Sequence, residues 1–198
     1  MEISQIHLDV LREIGNIGSG HAATALSTLL QRRIAMSVPE VWAVSFQEMA
    51  GVIGQMDEPQ AVIYVKAEGE APGKAVFFFP LESAEIVVQA LIQSGETPDL
   101  YADELAQSAL KEVGNIMVSS FLIALAQFSG VPLHPSVPAL AVDMAGAILD
   151  AILLEEGTLD EQVLFIDTQI SGIPQIEGQF IFLPEAGSLH KLLGAFGL

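Results

Sequence analysis

Glu13 and Asn16 stand three positions apart in Glu13-Ile14-Gly15-Asn16-Ile17, and the pair recurs in Glu112-Val113-Gly114-Asn115-Ile116. A carboxylate accepts hydrogen bonds and pairs with cations; a carboxamide is neither acid nor base, but it can hold and orient a water. That is enough chemistry where the electrophile is already activated, as in hydrolysis of a phosphoryl group held on Mg²⁺ by another protein. Phosphoryl transfer is largely positioning and electrostatics. A hundredfold acceleration needs only about 2.7 kcal/mol off the barrier, which is within reach of one well-placed amide. Asn has poor helix propensity, and its amide needs partners when buried. Two occurrences beside a Glu therefore call for a reason beyond folding.

The elements that must position these residues are themselves duplicated. Each residue of the second pentapeptide lies 99 positions beyond its mate in the first. Val76–Leu81 resembles Gln179–Pro184, Ala61–Lys66 resembles Gln162–Asp167, and an amphipathic stretch closes each half. The expected architecture is α/β with a pseudo-twofold duplication, each half a long helix, three strands of a mixed sheet and a closing helix. The chain is expected to be a single domain of two repeats, about 1–95 and 104–198, with 93–103 as connector around Gly95 and Pro98. Ser4 is the expected N-cap of the first helix and Asp103 of the second. In the first half the strands are expected at Val38–Phe46, Ala61–Ala67 and Lys74–Phe79.

At about 100° per residue, Val10, Ile14, Ile17 and Ala25 fall on one side of the first helix, as do Val113, Ile116 and Ala124 on the second. Asp9, Glu13, Asn16 and Gly20 share an arc of about 60° roughly opposite. Ser108, Glu112, Asn115 and Ser119 repeat the arrangement, so both polar stripes are expected to face solvent or a partner. Gly18 and Gly20 permit either close approach by another backbone or packing on the sheet. Arg12 and Lys111, repeat mates, precede the two glutamates and either temper repulsion toward an anion or solvate the helix flank. One asymmetry is expected: an additional amphipathic helix over Asp143–Glu156, against a looser counterpart at Glu48–Met56. It reads as a core helix or as a docking helix with Asp150 and Glu155 outward.

Composition excludes several functions. A net charge of −18 with only seven Lys and Arg disfavours sequence-independent nucleic-acid binding and electrostatic membrane attachment. The absence of cysteine removes disulfides and thiolate metal sites and fits a reducing, cytoplasmic setting. The N-terminus lacks the pattern of a secretion signal, and polar residues interrupt the apolar run Val113–Leu133, so no membrane span is expected. Gly15-x-x-Gly18-x-Gly20 follows no strand, and no P-loop is present. A metal site from Asp9 and Glu13 is conceivable, but no His shares that face and Ser108 breaks the pair in the second copy. His7, His21, His134 and His190 show no ligand spacing and are expected at surfaces or in satisfied pockets.

Extending the repeat gives Asp9, Glu13, Asn16 and Pro39, then Ser108, Glu112, Asn115 and Pro138, with 22 residues between each Asn and its Pro. This doubled pattern resembles the CheC / CheX / FliY family of chemotaxis phosphatases, whose motif is Asp or Ser, three residues, Glu, two residues, Asn, twenty-two residues, Pro. The likeness covers essentially the whole chain and is nearest to the two-site CheC type. It implies two motif helices exposed side by side and dephosphorylation of the response regulator CheY. By that resemblance Asn16 and Asn115 orient the attacking water and Glu13 and Glu112 dock on the receiver's lysine. Asp9 and Ser108 support the helix or interface, and Pro39 and Pro138 start strands. The receiver would supply Mg²⁺ and phosphoaspartate, leaving this chain with no cofactor or metal of its own. CheC proteins commonly pair with the receptor deamidase CheD, and the resemblance puts that docking surface around Asp143, Asp150 and Glu155. Two alternatives are a non-catalytic adaptor for a CheD-like partner and a flagellar-switch component. The second is disfavoured, because FliY-like additions have no room in 198 residues.

Overall fold

The computed structural model describes residues 3–45, 48–53, 56–93, 95–154, 161–172 and 176–197. The first half runs α1 (Gln5–Leu29), β1 (Ala35–Ser37), β2 (Val41–Ser45), α2 (Met49–Ile53), β3 (Pro59–Gly69), β4 (Gly73–Pro80) and α3 (Leu81–Ile92). The second repeats the order with α4 (Glu104–Ser129), β5 (Leu133–Pro135), β6 (Ala139–Met144), α5 (Ala145–Leu154), β7 (Gln162–Ser171), β8 (Glu177–Pro184) and α6 (Ser188–Ala195). The expected connector is the 93–103 segment between α3 and α4.

Both expected caps are present. The Ser4 hydroxyl accepts from the His7 backbone and His7 Nδ1 accepts from the Ser4 backbone, a reciprocal capping box. Asp103 accepts from the Leu105 and Ala106 amides, satisfying donors that the first helical turn leaves unpaired.

Among the described residues each half contributes four strands rather than three. The strand expected at Val38–Phe46 is β2, which starts only at Val41; β1 ends ahead of it at Ser37, and Phe46 lies outside the described residues. Pro39 has no N–H to give a ladder, and it constrains the residue before it. Pro138 similarly separates β5 from β6. Every pairing among the described strands is antiparallel, a narrower result than the mixed sheet expected. The sheet order is β1-β7-β8-β4-β3-β5, with β2 also on β7 and β6 also on β3. The β3–β4 and β7–β8 hairpins meet at the β4–β8 seam, and each half's first two strands add to the other half's hairpin. Gly69 and Gly172 close this exchange. Each has positive φ, and a Cβ on either would strike the carbonyl oxygen of Pro132 or Arg33, respectively, in the opposite half.

Strand alternation sends side chains to two cores. On one side Phe77, Phe79, Phe180 and Phe182 meet α1, α3, α4 and α6. On the other, Val76, Phe78, Phe165 and Ile181 meet α2 and α5. The additional helix of the second half is thus the longer member of a pair: α2 has five residues and α5 ten. α5 begins at Ala145, with Asp143 and Met144 in β6, while Glu155 and Glu156 lie outside the described residues. Ala145, Ile148, Leu149 and Ile152 of α5 are buried, which supports the core-helix reading for that side.

α4 is long and apolar enough by length and composition to cross a membrane, but half of its most apolar window is buried in the fold. Its apolar side packs on α1, α3 and the sheet.

Candidate functional site

α1 and α4 pack against each other on one side of the sheet. Gly18 makes the close approach possible, since a Cβ there would lie 3.0 Å from Phe121 Cα and 3.1 Å from Ser120 O. Gly20, in contrast, faces open space. The buried stripe of α1 is Leu11, Ile14, Gly18, Ala22 and Leu26. Ala25, expected on the core side, is exposed because the α4 contact turns the buried arc toward Ala22 and Leu26.

The polar stripes emerge where expected. Asp9 and Glu13 on α1, and Ser108 and Glu112 on α4, are exposed; Asn16 and Asn115 are half-buried beside them. The structure thus brings each Glu–Asn pair to one accessible helix face. Asp9 pairs with Arg12 at 3.2 Å, both about half exposed, so this contact adds little to stability. Ser108 provides no such partner for Lys111. Among the described residues, no group of three or more His, Cys, Asp or Glu side chains could hold a metal.

The two amides differ sharply. Asn16 Oδ1 accepts from the Val38 backbone N–H at 2.9 Å, and its Nδ2 donates to Val38 O and Arg12 O, both at 3.1 Å. Val38 is buried and its side chain lies against Gly15, where an added Cβ would come within 3.2 Å. Gly15 and Asn16 therefore form a seat and a clamp for the residue before Pro39. In the second half the mate of Val38, Val137, is 88% exposed. Asn115 Oδ1 accepts only from Ser119 Oγ, at 3.1 Å, and no acceptor for its Nδ2 is found among the described residues. Gly114 meets a different neighbour: a Cβ there would overlap the Ile63 side chain of β3. α4 packs on β5 and also reaches β3 and β4, whereas α1 packs on β1 and β2. One sequence pattern thus yields a latched amide in the first half and an open one in the second.

Pro39 precedes β2 by one residue and Pro138 directly precedes β6. Only the first is tied back to its Asn, through Val38. Asp143 and Asp150 are exposed on the opposite side of the sheet, and Asp143 Oδ1 accepts from the Met144 backbone N–H at 2.8 Å. His21, His134 and His190 are at the surface. His7 departs from expectation: it is buried, Nδ1 serves the capping box, and Nε2 has no hydrogen-bond partner among the described residues.

The exposure of the Glu–Asn faces follows from helical spacing, whereas the Val38 clamp has no counterpart in the sequence pattern. The spacing from Asn to Pro gives no sign of it, because both halves share that spacing and only in the first does the residue before the Pro meet the amide.

Over 200 residues, covering 98% of this chain and 96% of the relative, the sequence is 38% identical to the CheY-P phosphatase CheC of Bacillus subtilis. The chain belongs to the CheC-like family. The profile of that family matches residues 6–42 and 105–142, the two motif helices with the prolines that follow them. Among solved structures, Thermotoga maritima FliY superposes with a TM-score of 0.76 at 23% identity, covering 100% of this chain and 98% of that one. The CheX of a Borrelia burgdorferi CheX-CheY-BeF3-Mg complex matches with a TM-score of 0.51 at 17% identity, covering 85% of this chain and 96% of that one. At such identities the two structures establish the shared fold.

Proposed function

We propose that this chain hydrolyses the phosphoaspartate of a CheY-type response regulator, using the Glu–Asn faces of α1 and α4. The observation that carries the reading is the α4 face: Glu112 exposed, and Asn115 held through Oδ1 by Ser119 with Nδ2 unoccupied among the described residues. The B. subtilis relative's name as a CheY-P phosphatase supports the substrate class.

In this reading the receiver brings the phosphoaspartate and Mg²⁺, and this chain contributes no cofactor. Glu112 pairs with a cation on the receiver and fixes the register of the two surfaces. Asn115 enters beside the phosphoryl group and hydrogen-bonds a water in line with the scissile phosphorus–oxygen bond. Water oxygen bonds to phosphorus as the aspartyl oxygen leaves with the electron pair, giving inorganic phosphate and a free carboxylate. The Ser119 contact pre-sets the amide rotamer, so less freedom is lost on docking. Glu13 and Asn16 have the same roles in the first half, with the difference that Asn16 must first release Val38. Asp9 and Ser108 support the two faces.

The test follows phosphoaspartate loss from a Mg²⁺-loaded, phosphorylated receiver with Asn16→Ala, Asn115→Ala and both together. A fall of about a hundredfold is expected for the double variant, with Asn115→Ala the more damaging single change. A double variant as fast as the parent refutes the catalytic assignment.

A second reading, an adaptor for a CheD-like partner, is favoured by one feature. α5 and the edge strand β6 border a mostly apolar groove of about 340 Å³, where Ala141, Ala147 and Ala151 stand beside Tyr64 and Ile148. Asp143 lines this groove, and both it and Asp150 of α5 are exposed. Loss of CheD binding in Asp150→Arg with receiver hydrolysis intact would assign this side of the sheet to docking. Unchanged binding would remove it.

A further inference from the structure

Each motif helix carries one large apolar side chain in water near its start, and the two are repeat mates. Ile6 is 60% exposed and Leu105 is 64% exposed, and they lie 99 residues apart. Each is the second residue of its helix, after Ser4 and Asp103 as caps. A lone exposed aliphatic needs no explanation; the same exposure at the same point of both repeats does.

The helical wheel links them to the motif. Seven residues separate Ile6 from Glu13 and Leu105 from Glu112, which is about 20° of rotation and about 10 Å of rise. The Asn lies ten residues on, about 15 Å along the axis. An interface burying about 800 Å² per partner covers a disc of about 16 Å radius, so a body centred on the Asn reaches the apolar residue. In the second half Tyr101, a further large side chain at 58% exposure, lies four residues before Leu105 in the turn that leads into α4.

We infer that Leu105 and Ile6 are apolar anchors for the receiver, seated in a pocket at the edge of its phosphorylation site while Glu and Asn engage the centre. The inference rests on the receiver-phosphatase reading. It assigns the occupant because the anchor is continuous with the Glu–Asn stripe on a single helix face. The motif supplies polar contacts, which set register, whereas the anchor supplies the apolar burial that lengthens residence. Tyr101 makes the α4 anchor the stronger of the two, on the same helix that holds the open Asn115.

The experiment measures steady-state hydrolysis of a phosphorylated, Mg²⁺-loaded receiver, and binding to the same receiver with beryllofluoride, for Leu105→Ser, Ile6→Ser, the double variant and Leu105→Met. Phe128→Ser is the control, an exposed aromatic on α4 (53%) about 140° away from Leu105 on the wheel. Expected is a rise of about tenfold in KM and Kd for Leu105→Ser, a smaller rise for Ile6→Ser, kcat nearly unchanged, recovery in Leu105→Met and no change in Phe128→Ser. Unchanged KM and Kd in the double variant, with the parent active, overturn the anchors and leave the phosphatase reading standing. A fall in kcat at constant KM also overturns them. A parent chain that neither binds nor hydrolyses the receiver overturns the phosphatase reading, and the anchors with it.

Discussion

Replacing Asn16 with Ala should unfold the protein at a lower temperature than replacing Asn115 does, although the two residues are repeat mates. The Asn16 amide satisfies both backbone groups of Val38, which is only 3% exposed, at 2.9 and 3.1 Å. The Asn16→Ala change would leave that N–H and C=O facing a small void. An unsatisfied buried polar group costs about 1–3 kcal/mol, so the pair together should cost about 2–4 kcal/mol. Asn115 makes one hydrogen bond, to Ser119, at a half-buried site, and its removal should cost about 0.5–1 kcal/mol. For a chain of this length each kcal/mol moves Tm by about 2–4 °C. Asn16→Ala should therefore fall about 4–16 °C, and Asn115→Ala about 1–4 °C. Asn16→Asp provides a check that is independent of volume. It keeps an acceptor for the Val38 N–H but turns the donor into an oxygen opposed to Val38 O and Arg12 O, so it should be no more stable than the Ala variant at neutral pH. Scanning calorimetry or a urea transition reads the difference directly. Equal losses in the two halves would refute the latch and, with it, the reason given for unequal activity.

Gly114→Ala should destabilise by about 1–3 kcal/mol through overpacking against Ile63, whereas Gly20→Ala, with open space around it, should stabilise by about 1 kcal/mol through helix propensity; chemical denaturation distinguishes them. Burial, reinforced by the neighbouring Glu82, pushes the Glu85 carboxyl above its ordinary range. The folded state therefore holds that proton to higher pH than the unfolded chain, and the stability it contributes at low pH is lost as pH rises through the ordinary to the raised value. Glu85→Gln should raise Tm at pH 7, with the gain closing below about pH 4.

The local rules were legible because they act over short distances. Ser4 and Asp103 cap where a side-chain oxygen can reach the next turn, and Gly95 and Pro98 mark the connector for reasons of backbone freedom alone. The continuous apolar run Val76–Phe79 marks a strand, and its place between β3 and β8, with helices on both sides, accounts for the missing polar face. Pro39 marks the start of a strand only approximately: β2 begins at Val41 rather than Val38, because a residue without an N–H has nothing to give the ladder. Ala25 was misplaced for a different reason. Periodicity gives the apolar side of a helix, and the neighbour decides which edge of that side is covered.

The sequence by itself determined the duplication, the helices and their caps, and the Glu–Asn stripes directed away from the core. All of these follow from residue type and spacing along one segment. Tertiary structure alone decided that each half's first strands pair with the other half's hairpin, since strand pairing depends on contacts between distant segments. It alone also decided that the repeats are unequal at the point where chemistry would occur. Asn16 and Asn115 share Gly and Ile as immediate neighbours in sequence, but Val38 is buried within reach of Asn16, while its mate Val137 stands in water next to no such amide. A carboxamide's availability is set by the backbone that reaches it, and that backbone arrives from 22 residues away.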